Sequence, residues 1–282
     1  MTKRGRWALP FLLPGLTGLA LFYLIPFGGG VYYSLTDGSF SNAFVGFSNY
    51  LSVWGNPMFQ VGLKNTLLLS AVCAPLVWLV SYAMAILLRR AAGAALVQNA
   101  LLIPYLMPTS AVLLIFQVAF DYGGVVNRLL VSLGLERVLW LGSGALRVPV
   151  ILMYVWKNLG FCVVIFTAAL LAVPDAYYEY ARLEGAGPVR QAWHVTLPLV
   201  APTAYLVFVL AWINAFKIFK EVYFIAGAYP DEAVYTLQHY MNNMFSKLNY
   251  QNVTTAAYSF AMMVVLLFLA LYALLMRARR GM

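Results

Sequence analysis

The sequence predicts an all-α membrane protein with six transmembrane helices and both termini on the cytoplasmic side. Of the 282 residues, 63% are hydrophobic and only 10% are charged, whereas about a quarter of the residues of a soluble domain are charged. The apolar residues form runs close to the ~20 residues that a bilayer requires. A soluble protein of this size needs more polar surface than this composition supplies. We therefore expect one transmembrane domain over residues 1–282.

Polar, turn-rich segments separate six apolar runs. Prolines inside these runs, at positions 10, 14, 26, 104 and 108, should disturb helix regularity. Between the third and fourth runs, residues 125–135 have the pattern of a short amphipathic surface helix. The predicted spans are residues 7–35, 59–88, 99–120, 147–173, 197–225 and 254–276.

The net charge of +9 is concentrated next to the apolar runs. No basic stripe is interleaved with stacking aromatic residues, so we expect no nucleic-acid partner. The distribution instead follows the positive-inside rule, which places the termini and residues 174–197 in the cytoplasm. The basic residues assigned to the inner side are Lys3, Arg4, Arg6, Arg89, Arg90, Arg182, Arg190, Arg277, Arg279 and Arg280, and those in outer loops are Arg128, Arg137, Arg147 and Lys247.

Motifs for catalysis or for a metal site are missing from the sequence. It contains no G-x-x-x-x-G-K-[ST] phosphate loop, no H-E-x-x-H, no G-x-S-x-G and no paired carboxylates. Cys73 and Cys162 both lie inside apolar runs and have no metal-ligand or disulfide spacing. We therefore expect no catalytic residue, no metal and no cofactor bound by this chain.

Residues 174–197 form a polar island between the fourth and fifth apolar runs, which we call the coupling segment. Pro174 and Asp175 predict a helix start, and Gly185 predicts a left-handed stop. Gly187 and Pro188 then predict a second start. A more ordinary interpretation is a solvated helix end whose tyrosines, at 177, 178 and 180, lie at the lipid headgroups.

The coupling segment resembles the EAA loop of permeases from bacterial ABC importers. Glu179, Ala181, Gly185, Val195, Leu197 and Pro198 fall in the register of that motif, and Tyr180 stands where the family usually has Ala. Residues 46–50, 65–66 and 235–237 are similar to the carbohydrate-uptake branch, of the maltose and glycerol-3-phosphate type. Ala228, Tyr229 and Pro230 stand where that branch usually has Gly-Gly-Pro.

This resemblance implies the fold of an ABC type I importer permease in the bacterial inner membrane. It also implies a heterodimer with a second permease, an ATPase dimer that hydrolyses ATP, and an extracytoplasmic solute-binding protein that delivers a carbohydrate. In such permeases the EAA helices sit in a groove of the ATPase, where Glu179 would be the main polar contact and Arg182 or Arg190 a rim contact. The coupling residues implied are Glu179, Ala181, Arg182, Gly185, Gly187, Leu197 and Pro198.

Two lysines inside the spans suggest a substrate path. Lys157 and Lys217 each lie about ten residues from the outer end of a span, so both should be about 15 Å deep. Aromatic and amide side chains surround them, as in sugar sites, and the lysines suggest an acidic or phosphorylated sugar. The resemblance places a sugar site on the same two spans. The candidate path residues are Tyr154, Lys157, Asn158, Trp212, Asn214, Ala215 and Lys217.

Other interpretations of these residues remain open from the sequence. The aromatic residues could simply pack, and Lys217 could pair with Glu221 one helical turn away. The cargo could be a polyamine or an organophosphate. An ion-coupled carrier or channel would need a titratable acid within the spans, for which Glu221 is the only candidate, and a scaffold would need no path.

Overall fold

A computed structural model describes residues 3–39 and 41–280, and this part of the chain is helical without a β-strand. Short 3₁₀ helices occur at Ser143–Leu146 and Phe216–Ile218, and π-helical turns at Ala20–Leu24 and Ala192–Thr196. The prediction of an all-α protein is confirmed. The α-helices are α1 Lys3–Leu19, α2 Ile25–Ser34, α3 Ser48–Trp54, α4 Pro57–Leu88, α5 Ala94–Leu106, α6 Thr109–Phe120, α7 Val125–Ser132, α8 Arg147–Leu171, α9 Asp175–Leu183, α10 Pro188–Gln191, α11 Leu197–Leu199, α12 Ala201–Ala215, α13 Phe219–Ala226, α14 Leu237–Ser246 and α15 Tyr250–Arg280.

Six helical stretches are long and apolar enough to cross a membrane, which confirms the predicted number of spans within the described residues. The side of the membrane on which each terminus lies stays a prediction. The six stretches are Phe11–Ser34, Pro57–Leu88, Thr109–Ser132, Gly144–Leu171, Ala201–Ala226 and Tyr250–Ala273.

The third predicted span is divided into two helices. Met107 is extended, with ψ 143°, and Pro108 follows at ψ 139°, so α5 ends and α6 begins at Thr109. A residue before proline is driven out of the helical region by the proline ring, which explains the break. Pro104, in contrast, lies inside α5 and is buried there. The predicted amphipathic helix is present as α7.

Two further prolines are each preceded by a π-helical turn. Residues 20–24 precede Pro26, and residues 192–196 precede Pro198. Because proline has no N–H, it cannot complete the regular backbone ladder, and a wide turn accommodates the missing donor. The helix α1 runs through Pro10 and Pro14 without interruption.

The described chain divides into two compact units. One comprises residues up to 60 together with those from 240 onward, and the other comprises residues 61–239. In the first unit α2 packs on α15: the Tyr258 hydroxyl donates to the Phe27 carbonyl, and the two rings meet edge to face at 5.0 Å. The Trp54 indole also donates to Ser259 Oγ, at 3.1 Å.

The second unit contains the core that positions the candidate sites. Its buried residues come mainly from α4, α8 and α12, such as Val77, Phe166 and Val207. The Trp78 indole of α4 donates to the Ala204 carbonyl of α12 at 2.8 Å, which ties these two helices together.

Candidate functional site

The first half of the coupling segment is a helix with a complete Schellman ending. The backbone N–H of Gly185 donates to the Arg182 carbonyl at 3.0 Å, and that of Ala186 donates to the Ala181 carbonyl at 2.9 Å. Gly185 has φ +76°, the left-handed conformation that such an ending requires. The predicted helix start at Asp175 and glycine stop at Gly185 are confirmed.

The second half starts at Pro188, as predicted. Gly187, which precedes it, differs from Gly185 in backbone conformation. Gly187 precedes α10 with φ −70° and ψ 170°, an extended conformation that any residue can adopt. Both glycines are surrounded by open space. Of the two glycines at this break, Gly185 is therefore the one whose backbone conformation favours glycine.

The helix α9 has one buried face and one exposed face. Tyr178 and Ala181, three residues apart, are buried, whereas Glu179, Tyr180 and Leu183 are exposed. Leu183 is 85% exposed. Glu179 makes no hydrogen bond or ion pair within the described part of the chain, so its carboxylate is available to a partner protein.

Arg89, at the end of α4, holds the start of the coupling segment. Its Nη2 donates to the Val173 carbonyl at 2.9 Å and to Asp175 Oδ1 at 3.0 Å, and its guanidinium lies 4.0 Å from the Tyr178 ring centroid. Arg90 Nη2 donates to the same carboxylate oxygen at 2.7 Å. This hydrogen bond, with the charges of both arginines, lowers the pKa of Asp175 below its ordinary value.

Tyr82 of α4 holds the second half of the segment. Its hydroxyl donates to the Ala192 carbonyl at 2.6 Å, and its ring lies beside Trp193. Thr196 Oγ1 donates to the Tyr178 hydroxyl at 3.2 Å, which joins the two halves to each other. Tyr82 and Arg89 were not among the predicted coupling residues, because in the sequence Arg89 appears only as a charge that flanks an apolar run.

The remaining predicted coupling residues lie along the same segment. Arg182 is exposed, and its Nε donates to the Tyr178 carbonyl at 3.2 Å, within α9. Leu197 packs partly buried against the core of the second unit, whereas Pro198 is exposed at the start of α11. The structure thus brings these residues into one continuous surface element.

Four of the predicted path residues form a hydrogen-bonded row that joins α8 to α12 and to the 3₁₀ helix Phe216–Ile218 directly after it. Lys217 Nζ donates to Asn214 Oδ1 at 3.2 Å, and Asn214 Nδ2 donates to Asn158 Oδ1 at 3.3 Å. Asn158 Nδ2 in turn donates to the Tyr154 carbonyl at 2.8 Å. The row runs from an exposed ammonium to two largely buried residues, and it contains the amide groups that bond sugar hydroxyls.

The other path residues are placed differently. Ala215 is buried in the core with Tyr154, whose hydroxyl donates to the Ala211 carbonyl. Trp212 packs edge to face on Phe208 at 5.5 Å. Lys157 donates to Thr109 Oγ1, on α6. Helix packing therefore accounts for the positions of Ala215 and Trp212 in this conformation.

Lys217 is not paired with Glu221, the alternative that the spacing allows. The only ion pairs among the described residues are those of Asp175 with Arg89 and Arg90. Oε2 of Glu221 is buried and has no hydrogen-bond partner in residues 3–39 and 41–280. Lys217 is thus left available to an anion.

Residues 78–281 match the family model of the binding-protein-dependent transport system inner membrane component. The matched region holds the coupling segment and both helices that carry the polar row. The chain belongs to this family.

Relatives of this permease support the assignment along most of its length. It is 32% identical over 296 residues to the diacetylchitobiose uptake system permease protein NgcF of Streptomyces coelicolor, covering 97% of this chain and 83% of that protein. It is 31% identical over 237 residues to the sn-glycerol-3-phosphate transport system permease protein UgpA of Yersinia pestis, covering 81% and 80%. It is 30% identical over 242 residues to the sulfoquinovosyl glycerol transport system permease protein SmoG of Agrobacterium fabrum, covering 83% and 79%.

Solved structures show the same fold. A chain of a bacterial ABC transporter involved in the import of the acidic polysaccharide alginate matches with a TM-score of 0.83 at 22% identity, covering 98% of this permease and 96% of that chain. A chain of a bacterial alginate ABC transporter, in complex with a periplasmic protein bound to an alginate pentasaccharide, matches with a TM-score of 0.80.

Family membership decides several of the predictions. The resemblance to ABC-importer permeases is confirmed, and so is the location in the inner membrane. The protein is a permease subunit and not itself an enzyme. The family description makes a solute-binding protein a partner of this permease. The match to permeases of ABC transporters supports neither the ion-coupled carrier nor the scaffold.

Proposed function

We propose that this permease forms half of the translocation path for a carbohydrate that a solute-binding protein delivers and ATP hydrolysis drives. A second permease would complete the path, and a separate ATPase dimer would bind the ATP. One observation carries this proposal: the coupling segment is the direct connection between α8 and α12, the two helices that hold the polar row. Movement of the segment therefore moves both walls of the path.

The attachments of the coupling segment support transmission of force. Arg89 fixes the first half to α4 and Tyr82 fixes the second half to the same helix. An ATPase that engages Glu179 and the exposed apolar residues of α9 would displace a connected element and not a loose loop. The proposed contacts are Glu179, Arg182, Leu183 and Arg190.

The chemistry of the row and the names of the relatives favour a carbohydrate. The relatives' names include an uncharged sugar, diacetylchitobiose, and two anionic compounds, glycerol 3-phosphate and sulfoquinovosyl glycerol. Amides bond hydroxyl groups, and an ammonium in a low-dielectric path attracts a phosphate, sulfonate or carboxylate. Lys217 and Lys157 lead us to propose an acidic or phosphorylated sugar, and their charges disfavour a polyamine.

The test is ATP hydrolysis by the complete reconstituted transporter, with its binding protein and a panel of neutral, phosphorylated and acidic sugars. We expect a sugar to stimulate hydrolysis and an anionic sugar to do so best. Lys217→Gln should raise the KM for the anionic sugar by about tenfold, equivalent to the loss of ~1.4 kcal/mol. Lys64→Gln is the matched control, since Lys64 is an exposed lysine of α4 outside the row.

Two results would overturn different parts of the proposal. If a neutral oligosaccharide is strongly preferred and Lys217→Gln leaves the KM unchanged, the proposal of an anionic cargo is wrong, although the cargo is still a carbohydrate. If no sugar stimulates ATP hydrolysis and another class of solute does, the proposal of a carbohydrate cargo is wrong.

A further inference from the structure

A cavity of about 330 Å³ lies between the end of α4 and the inner side of the coupling segment. Its polar lining includes three arginines, Arg89, Arg90 and Arg182, together with Gln191 and Thr196. It differs from the open groove of about 730 Å³ on the other side of α9, which Tyr177, Tyr180 and Glu184 line in part. The volume is within the range of small-ligand sites.

The cavity has an excess of positive charge. Asp175 is the only acidic side chain that hydrogen-bonds to any of the three arginines within the described residues. The lining contains these three guanidinium groups and no carboxylate of its own, so it stays positively charged when Asp175 is counted against it. Arg89 is also largely withdrawn from solvent, with its side chain 12% exposed, so its charge is poorly screened.

Many of the N–H donors in the cavity are unused. Arg89 and Arg90 use only Nη2, and Arg182 uses only Nε. Their other N–H groups make no hydrogen bond inside the part of the chain that the structure describes. A guanidinium presents its donors in a planar fork that fits two oxygens of a phosphate, so the three side chains together suit a tetrahedral oxyanion.

We propose that this cavity binds a phosphate-bearing anion, supplied by the headgroup of an anionic phospholipid or by a soluble phosphate. Basic pockets at the cytoplasmic ends of transmembrane helices bind such headgroups. Arg89 and Arg90 directly follow the end of α4, whereas Arg182 and Gln191 belong to the coupling segment. A bound phosphate therefore bridges the two and stabilises the segment in its present position.

The bridge has a consequence for transport, and this part of the inference rests on the proposed function. Since the segment must be displaced in each transport cycle, an anion that holds it against α4 slows ATP hydrolysis. Anion binding itself does not depend on what the permease transports. The two statements can therefore fail separately.

The experiment uses the complete transporter in nanodiscs of phosphatidylcholine, with or without phosphatidylglycerol. Native mass spectrometry measures retained phosphatidylglycerol, and a separate titration with inorganic phosphate measures thermal stabilisation in the phosphatidylcholine discs. We expect at least one probe to bind, and the Arg90→Gln, Arg182→Gln double variant to bind it about tenfold more weakly. Selective retention of the lipid identifies a headgroup site, and stabilisation by phosphate alone identifies a soluble anion.

Single variants give the controls for this experiment. Arg182→Lys keeps the positive charge but loses the planar pair of N–H donors, so it should weaken anion binding less than Arg182→Gln does. Arg190→Gln removes a positive charge from the same segment but lines the opposite groove, so anion binding should not change. If the double variant is less stable than the wild type without anion, these single variants decide the result.

Equal retention of lipid and equal stabilisation by phosphate in all variants would overturn the anion site. Binding as expected, with no slowing of ATP hydrolysis, would overturn the bridging effect alone. A transporter that hydrolyses ATP without any response to sugar would contradict the proposed function, whether or not the anion binds.

Discussion

Substitution of Gly185 tests the coupling segment most directly. Its φ of +76° is left-handed, and no atom beyond the adjacent residues lies within 4 Å of the position that a Cβ would occupy. A side chain at this position therefore meets no neighbour, and its whole cost is the backbone conformation. Gly187 has equally open surroundings with an ordinary φ of −70°, which makes it a matched control for the loss of a glycine.

The magnitude follows from this conformation. An L-residue in the left-handed region costs roughly 1–2 kcal/mol, which lowers the population of the turn by a factor of about 5–30. A β-branched residue costs more, whereas Asn tolerates this region. Gly187→Ala has no such cost, and its gain of ~0.4–1 kcal/mol through the unfolded chain is offset by the poorer N-cap of α10, so stability should change little. The expected order of damage at position 185 is therefore Val, then Ala, then Asn.

The assay is ATP hydrolysis stimulated by the loaded binding protein, with copurification of all subunits as the measure of assembly. We expect Gly185→Val to assemble and to lose coupled hydrolysis. Gly185→Asn should retain most of it. Normal coupled turnover in Gly185→Val, or equal damage from Gly187→Ala, would refute the reasoning.

Three further predictions follow from individual contacts. Gly160→Ala should destabilise by at least the ~1–3 kcal/mol typical of overpacking, measured as a lower Tm, because its Cβ would lie well inside the van der Waals distance of the Leu101 carbonyl. Burial lowers the pKa of His239 from an ordinary 6.5 to about 4. As the pH falls from 6.5 to 4, the unfolded chain is therefore protonated at this histidine before the folded protein is, and the free energy of unfolding decreases by about 3 kcal/mol. Because the hydrogen bond from Arg90 lowers the pKa of Asp175, the bond between them should persist as the pH falls to the ordinary carboxyl pKa and break only below it. Proteolysis of the coupling segment should therefore increase only in strong acid.

Each of these predictions has a control and a contradicting result. Gly144→Ala, whose Cβ would meet Ala233 at an ordinary 3.5 Å, should keep its Tm. His239→Gln should flatten the dependence of stability on pH, so a profile identical to that of the wild type would contradict the prediction. Asp175→Asn should be cleaved readily at every pH, and resistance at neutral pH would show that the ion pair does not hold the segment.

The sequence was sufficient for the fold class and for the local form of the coupling segment. Composition and run length are properties of the whole chain, and they predicted six spans. The helix start at Asp175 and the stop at Gly185 were predictable because each depends on residues within one turn. The break at Pro108 was predictable for the same reason.

Contacts between distant residues could not be predicted. Tyr82 and Arg89 lie about a hundred residues before their partners, and nothing in the local pattern distinguishes a tyrosine that bonds a distant carbonyl from one that packs. The hydrogen bond from Lys157 to Thr109 could not be predicted for the same reason. Depth along a span is readable from residue counts, but the direction in which a side chain points depends on helix packing.

The crossing of α5 and α8 limits how the permease can rearrange. At Gly160 the two backbones touch, and the rings of Tyr105 and Phe161 stack at 4.8 Å with an interplanar angle of 7°. The missing side chain of Gly160 allows this close backbone approach, and the tight packing leaves little space for sliding. We therefore expect the two helices to move together as one rigid body during transport, with opening and closing at other helix interfaces. A covalent bridge between them at this crossing should leave transport rates unchanged.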